Sequence, residues 1–103
     1  MIARIWSAIA TEKGAEAYRS HFEGSVVPSL RSVPGHRGAY LMERDSEGSV
    51  EIEVVTLWES MAAIRAFAGS DVDTAVVEPA ARAALTGFDD TVTHFTVAVD
   101  TVQ

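Results

Sequence analysis

The chain opens with an apolar segment rich in β-branched residues, and this pattern predicts a strand over residues 2–9. Apolar side chains occupy both alternating sets of positions, with Ile2 and Trp6 in one set and Ile5 and Ile9 in the other. A strand with one face in water would instead alternate between apolar and polar residues. Both faces of this first strand are therefore expected to be covered.

Helical spacing follows, and it predicts one helix over residues 12–32. Thr11 is a favourable N-cap residue. Apolar or small side chains then recur every three or four positions, at Ala15, Tyr18, Phe22 and Val26. Pro28 is expected to kink this helix or to divide off its last turn, because it lacks an N–H and crowds the preceding turn.

The second half of the chain predicts three more strands and two more helices. Strands are expected over residues 36–44 and 50–59, joined by the turn Asp45-Ser46-Glu47-Gly48. Ser60 should cap a helix that ends at Gly69. A third helical stretch, residues 75–86, should be divided by Pro79. Residues 91–101 predict the last strand.

This order of elements indicates an α+β fold with a ferredoxin-like antiparallel four-stranded sheet and helices on one face. A chain of 103 residues is too short for two domains, so one domain spanning residues 1–103 is expected. The first, third and last strands carry apolar residues on both faces, and the face without helices therefore needs a cover. The sequence predicts a homodimer through the helix-free sheet face.

Composition then excludes several classes of function. The net charge of −7 disfavours binding to nucleic acid or to anionic membranes. The absence of cysteine excludes disulfides, thiolate metal sites and cysteine nucleophiles. There is no signal peptide and no apolar run near the ~20 residues that cross a bilayer. A soluble, cytoplasmic protein is expected.

The three histidines are the first candidates for chemistry. His94 interrupts an apolar strand, so it is either a general base or donor for a ligand, or a strand histidine satisfied by a carboxylate or by the dimer partner. His36, at the start of a strand, is interpreted as structural, and His21 as solvated. No two histidines have the i,i+4 spacing of a helical metal site, so no metal is expected.

An apolar pocket between the sheet and the helices is the second candidate. Polar groups at its edge would be Arg4, Tyr40 and His94. Large side chains that would bind a small apolar or aromatic ligand are Trp6, Trp58, Ile64 and Phe67. For any one of the aromatic residues, a place in the core is the better interpretation. No phosphate-binding loop or dinucleotide motif is present, so an enzyme of this sequence would need no nucleotide cofactor.

Three segments together resemble the antibiotic biosynthesis monooxygenase family. They are Ile2-Ala3-Arg4-Ile5-Trp6, Val33-Pro34-Gly35-His36-Arg37-Gly38 and Leu57-Trp58-Glu59-Ser60. The resemblance covers essentially the whole chain and implies a dimeric α+β barrel.

That family includes cofactor-independent oxygenases of aromatic polyketide quinols as well as haem-degrading enzymes. Trp58 matches a tryptophan that lines the pocket of the quinol oxygenases, whereas Val54 and Ile64 stand where those enzymes have Asn and Tyr. Phe67 and Val77 stand where the haem degraders need Trp and His, so haem is not expected.

The resemblance therefore implies a cofactor-independent monooxygenase that uses O₂ on an electron-rich aromatic or polyketide-like small molecule. In this hypothesis His94 is the base, Arg4 or Tyr40 stabilises the anion, and Trp58 and Phe67 pack against the ring. A non-catalytic dimer that binds a small ligand is the alternative, and a cofactor-free isomerase or cyclase is a third possibility.

Overall fold

The computed structural model describes residues 1–102 and shows one antiparallel sheet with helices on one face. The elements in chain order are β1 (Ile2–Ala10), α1 (Glu12–His21), a π-helical segment (Phe22–Val26), α2 (Val27–Arg31), β2 (His36–Ser46), β3 (Ser49–Trp58), α3 (Met61–Ala68), α4 (Pro79–Ala84), β4 (Gly87–Phe88) and β5 (Thr93–Thr96). The sheet order is β2-β3-β1, and β4 and β5 both pair with the other edge of β1. The predicted ferredoxin-like α+β fold is confirmed, with five strands instead of four.

The two faces of the sheet differ as the alternating pattern predicts. On the helix side, Trp6, Ile52 and Val54 are buried in the main core cluster. On the other face, apolar side chains remain open to solvent. They are Ile9 (39% exposed), Tyr40 (48%), Met42 (46%) and Phe95 (58%). A group of exposed apolar side chains on one face of a sheet is typical of an interaction surface.

The predicted first helix is divided at the place where Pro28 required it. The backbone widens to a π-helical turn over Phe22–Val26, in which the N–H of Val27 donates to the carbonyl of Phe22. Pro28 then lies in the first turn of α2, where its missing N–H costs no helical hydrogen bond. The wide turn keeps the side chains of α1 and α2 on the same side of the sheet.

The last predicted strand and the third predicted helix are shorter than expected. β5 ends at Thr96, because Thr96 already pairs with Ile2, the first residue of β1, and no strand extends beyond it. Residues 75–78 are not helical, since the chain is extended just before them, where residues 73–75 pair with residues 90–92 through the bridge between Thr74 and Thr91. Pro79 begins α4, a position that suits proline.

Within residues 1–102, none of the helices combines the length and the hydrophobicity that crossing a bilayer requires.

The close approach of α1 to α4 generates a stability prediction. A Cβ atom on Gly14 would overlap the carbonyl oxygen of Ala84 in α4, whereas a Cβ on Gly24 would meet no atom within 4 Å. We expect Gly14→Ala to destabilise the fold by about 1–3 kcal/mol, because overpacking outweighs the better helix propensity of alanine. Gly24→Ala should be neutral or stabilising by up to ~1 kcal/mol. Urea unfolding of both variants tests this, and equal effects of the two substitutions would contradict the close helix packing.

Candidate functional site

A cavity of about 120 Å³ lies between the sheet and the helices. Its floor comes from β1 and β3, one wall from the helices between Tyr18 and Leu30, and the other wall from residues 75–78 and α4. The exposed lining residues Ser29, Val76 and Glu78 mark the opening to solvent. The cavity is therefore a recess under the helices with one mouth.

The volume limits what the cavity accepts. An apolar cavity of ~150 Å³ is large enough to bind benzene, whereas pockets for drug-sized ligands measure roughly 300–1,000 Å³. At about 120 Å³ the present cavity is of the size that holds about one ring, and substituents of the ring would extend towards its opening.

Arg4 is the charged side chain on the cavity floor, and it is only 5% exposed. Its Nη1 donates to the carbonyl of Val72 (2.6 Å), and its Nη2 donates to the carbonyl of Thr74 (3.0 Å). Burial lowers the pKa of Arg4, while the nearby Asp73 carboxylate acts in the opposite direction. An arginine stays charged in proteins even so. Arg4 thus places a buried positive charge at the cavity. Its hydrogen bonds also hold the segment 72–74 against the sheet.

His94 supports Arg4 from the neighbouring strand. Arg4 lies opposite His94 in the pairing of β1 with β5, and its Nη1 is 3.0 Å from Nε2 of His94. Since a guanidinium can only donate, Nε2 must be the unprotonated acceptor, and the proton of the neutral ring lies on Nδ1. That nitrogen is 3.5 Å from Oδ1 of Asp73. Burial, followed by the charge of Arg4, lowers the pKa of His94, so the ring is neutral near pH 7.

The structure corrects the predicted role of His94 as the base. His94 is not among the residues that line the cavity, and Arg4 occupies its Nε2. The other interpretation of His94, a strand histidine satisfied by a carboxylate, describes what the structure shows.

The predicted position of Tyr40 at the pocket edge is wrong. Tyr40 pairs with Val55 on the helix-free face and is 48% exposed, so the sheet separates it from the cavity. Ala39 and Leu41, its neighbours along β2, pack against the core on the helix side instead.

The four predicted ligand-binding residues divide into two layers. Trp6 and Phe67 line the cavity, and the indole N–H of Trp6 donates to the carbonyl of Asp89 at 2.7 Å. Trp58 and Ile64 are fully buried in a second core cluster and do not reach the cavity. Trp58 instead supports two residues that line the cavity. Its ring lies 5.2 Å from that of Phe67, and its Nε1 donates to the hydroxyl of Thr56.

Sequence reasoning missed Tyr18 and His21 as lining residues of the cavity. Tyr18 is 5% exposed, and burial together with the negative charge of Glu78 raises its pKa to about 12. The interpretation of His21 as solvated is wrong, since the residue is half-buried and its Nε2 is a buried atom without a hydrogen-bond partner in the described part of the chain. The i,i+3 spacing of these two residues, on the helix face that holds Phe22, was the available signal.

Comparisons with known proteins agree with this fold. The family model described as antibiotic biosynthesis monooxygenase matches residues 1–85. Among solved structures, the haem degrader MhuD from Mycobacterium tuberculosis, with two haems bound in its active site, is 24% identical with a TM-score of 0.63, and the match covers 99% of this chain and 100% of MhuD. No curated protein matches the chain.

Two oxygenase structures match the chain with nearly the same TM-score and lower sequence identity. SnoaB, a cofactor-independent oxygenase from Streptomyces nogalater, is 14% identical with a TM-score of 0.62, over 99% of this chain and 98% of SnoaB. The monooxygenase ActVA-Orf6 of Streptomyces coelicolor, in complex with nanaomycin D, is 17% identical with a TM-score of 0.60, over 99% of this chain and 90% of its own. At these identities the likeness concerns the fold.

The cavity residues do not fit a haem. A porphyrin contains four pyrrole rings, and the cavity of about 120 Å³ has room for about one ring. Val77, at the position that the resemblance assigns to the essential histidine of the haem degraders, contributes an aliphatic side chain to the wall.

The lowered pKa of His94 generates a prediction about pH. The unfolded chain takes up a proton on His94 at a higher pH than the folded chain does. The contribution of neutral His94 to the free energy of unfolding is therefore complete above pH ~6.5, the ordinary histidine pKa, and is lost as the pH falls through the pKa of the folded state. His94→Gln retains an acceptor for Arg4 but does not titrate. We therefore expect the Tm to fall less steeply between pH 7 and pH 5 in the variant.

The slope that remains in the variant is assigned to His36, whose pKa burial also lowers. Thermal unfolding of the wild type, His94→Gln and the double variant with His36→Gln provides the measurement. Parallel Tm curves for the wild type and His94→Gln would show that His94 does not titrate as described.

Proposed function

The chain belongs to the antibiotic biosynthesis monooxygenase family, whose model matches residues 1–85 of 103, and from this premise we propose that it is a cofactor-independent oxygenase of small, electron-rich phenols or enols. The observation that carries the proposal is the buried positive charge of Arg4 on the floor of an otherwise largely apolar cavity.

The charge of Arg4 favours an anionic ligand. Among residues 1–102, no carboxylate lies within ion-pair distance of Arg4, and the nearest acidic partner, Asp73, contacts His94. A buried charge without a counter-ion is costly. The observed hydrogen bonds use three of the five N–H donors of the guanidinium. An oxyanion of the ligand would compensate the charge and accept one of the remaining N–H groups.

An anionic ring is also what the proposed chemistry requires. A phenolate or enolate is electron-rich enough to pass one electron to O₂, which produces a carbon-centred radical and superoxide. The two combine to form a C–O bond, and the resulting peroxide anion takes up the proton held by His21 to become a hydroperoxide. Cleavage of its O–O bond, with loss of the hydrogen on the same carbon, releases water and leaves a carbonyl group. Arg4 would stabilise the oxyanion before electron transfer, and Trp6 and Phe67 would keep water from the reacting ring.

His21 takes the place predicted for His94 as the proton acceptor. It lines the cavity, and its Nε2 has no hydrogen-bond partner within the described residues. Histidine is the side chain that most often acts as a general base in enzymes. The proton of the incoming phenol therefore has an acceptor beside the cavity.

A non-catalytic ligand-binding protein is the second candidate function. The positions at which the quinol oxygenases have Asn and Tyr are occupied here by Val54, an apolar wall residue, and by Ile64, which does not reach the cavity. A binder of this kind would gain stability from its ligand without turning it over.

Oxygen uptake tests the proposal against this alternative. We expect the wild-type protein to consume O₂ when offered methoxyhydroquinone, and Arg4→Gln to do so at least 10²-fold more slowly, because an oxyanion stabiliser is removed. Arg37→Gln, which changes an exposed arginine on the edge strand β2 that does not line the cavity, should retain full activity. Thermal stabilisation by the phenol without O₂ uptake would favour the binder and would contradict the oxygenase.

A cavity-filling pair covers the case in which Arg4→Gln does not fold. Ala81 in α4 lines the cavity and is buried, whereas Ala83 in the same helix is exposed. Ala81→Leu should abolish both phenol binding and O₂ uptake, and Ala83→Leu should change neither. Retained activity in Ala81→Leu would show that the reaction takes place elsewhere.

We also propose that the protein is a homodimer through the helix-free sheet face. Four apolar side chains from three strands are exposed on this face: Ile9, Tyr40, Met42 and Phe95. A twofold contact would cover them with the same surface of a second copy.

Sedimentation tests the dimer. At micromolar concentration we expect a species of about 22 kDa, twice the mass of the 11.0 kDa chain. Phe95→Lys, which places a charge on the apolar face at the edge strand β5, should shift the protein towards the monomer, and Ala83→Lys on the helix side should not. A wild-type protein that sediments as a folded monomer would contradict the proposal.

A further inference from the structure

Tyr18 and Arg4 both line the cavity, Tyr18 from the helical wall and Arg4 from the sheet floor. Its ring is held in place by aromatic neighbours, with centroids 6.0 Å from Trp6 and 6.2 Å from Phe22. Since the side chain is only 5% exposed, its position is fixed by packing.

The hydroxyl of Tyr18 is available to a ligand. Among residues 1–102, the structure shows no hydrogen bond to this hydroxyl, and the two buried side-chain atoms without a partner are nitrogens of His21 and His36. The hydroxyl is therefore neither satisfied by protein nor sealed inside it, and the space next to it is the cavity. When a ligand fills the cavity and excludes water, this hydroxyl needs a hydrogen-bond partner, and a polar atom of the ligand would supply it.

The protonation state of Tyr18 determines which kind of atom that is. Burial and the charge of Glu78 raise the pKa of Tyr18 to about 12, so the phenol keeps its proton at neutral pH. It therefore offers an O–H donor, and the complementary ligand atom is an acceptor. In the proposed function, Arg4 on the cavity floor binds the anionic group of the ligand.

We infer that Tyr18 is a specificity-determining residue that selects rings with two oxygen substituents, one anionic and held by Arg4, the other a neutral acceptor bonded to the Tyr18 hydroxyl. This inference rests on the proposed use of the cavity as a site for an anionic ring. A ring with two oxygen substituents also meets the electronic requirement of the reaction, because the second oxygen donates electron density to the ionised ring.

Two probes of equal charge and similar shape test the inference. 4-Methoxybenzoate and 4-ethylbenzoate both carry a carboxylate for Arg4, and they differ in an ether oxygen in place of a methylene group. We expect the wild-type protein to bind 4-methoxybenzoate roughly tenfold more tightly, as one hydrogen bond provides. In Tyr18→Phe this preference should fall to within about twofold, whereas binding of 4-ethylbenzoate should remain.

The chain supplies a matched control in its second tyrosine. Tyr40→Phe removes the same hydroxyl from the helix-free face and should leave the preference intact. Arg4→Gln should weaken both probes by the same factor, because it acts on the carboxylate that they share. Isothermal titration calorimetry gives the eight Kd values of the four proteins with the two probes, and thermal unfolding shows whether Tyr18→Phe, which keeps its ring contacts, is folded.

Three results would overturn the inference: equal affinities of the wild type for both probes, an unchanged preference in Tyr18→Phe, or no binding of either probe. The oxygenase proposal fails separately. If the wild-type protein prefers 4-methoxybenzoate through Tyr18 but consumes no O₂, the inference about Tyr18 stands and the oxygenase proposal is contradicted. If the wild-type protein consumes O₂ but lacks this preference, the oxygenase proposal stands and the inference about Tyr18 is contradicted.

Discussion

The buried guanidinium of Arg4 is the interaction on which the site depends. It rises from the sheet floor and bonds to the carbonyls of Val72 and Thr74, in a segment that has no regular secondary structure of its own. The cavity wall at residues 75–78 follows directly, so the same side chain that charges the cavity also holds one of its walls in place. Asp73 and His94 complete the arrangement, because a neutral His94 accepts from Arg4 and turns its other nitrogen towards Asp73.

The two faces of the sheet explain why a chain of this size can contain a cavity at all. A small domain has little apolar surface to bury, and an unfilled cavity gives up packing contacts. Here the core on the helix side is divided into two clusters, one around Trp6 and Ile52 and the other around Trp58 and Ile64. Phe67 packs on Trp58 and lines the cavity, so the second cluster supports the wall. In the proposed dimer, the opposite face adds burial that the isolated chain lacks.

Much of the fold follows from the sequence, because strand alternation, capping residues and prolines act locally. Ser60 and Thr11 cap helices as predicted, and Gly69 ends α3 with a positive φ of 92°. The site was harder to predict. Alternation along β2 places Tyr40 on one face of the sheet and Ala39 and Leu41 on the other. Both faces carry apolar residues, so only the register with β3 shows which face of β2 is covered by the helices. The role of His94 likewise depends on its register with Arg4 across two strands that are 90 residues apart in the chain. The wall at residues 75–78 has no periodicity from which it could have been derived.

The central claim is that the cavity under the helices is a site for an anionic ring because Arg4 lies buried on its floor. Titration calorimetry of the wild-type protein with benzoate and benzamide tests this most directly, since the two molecules have nearly the same shape and differ in charge. The account predicts that benzoate binds at least tenfold more tightly than benzamide, as expected for a charged hydrogen bond in place of a neutral one. Equal binding of the two molecules, or tighter binding of benzamide, would contradict it.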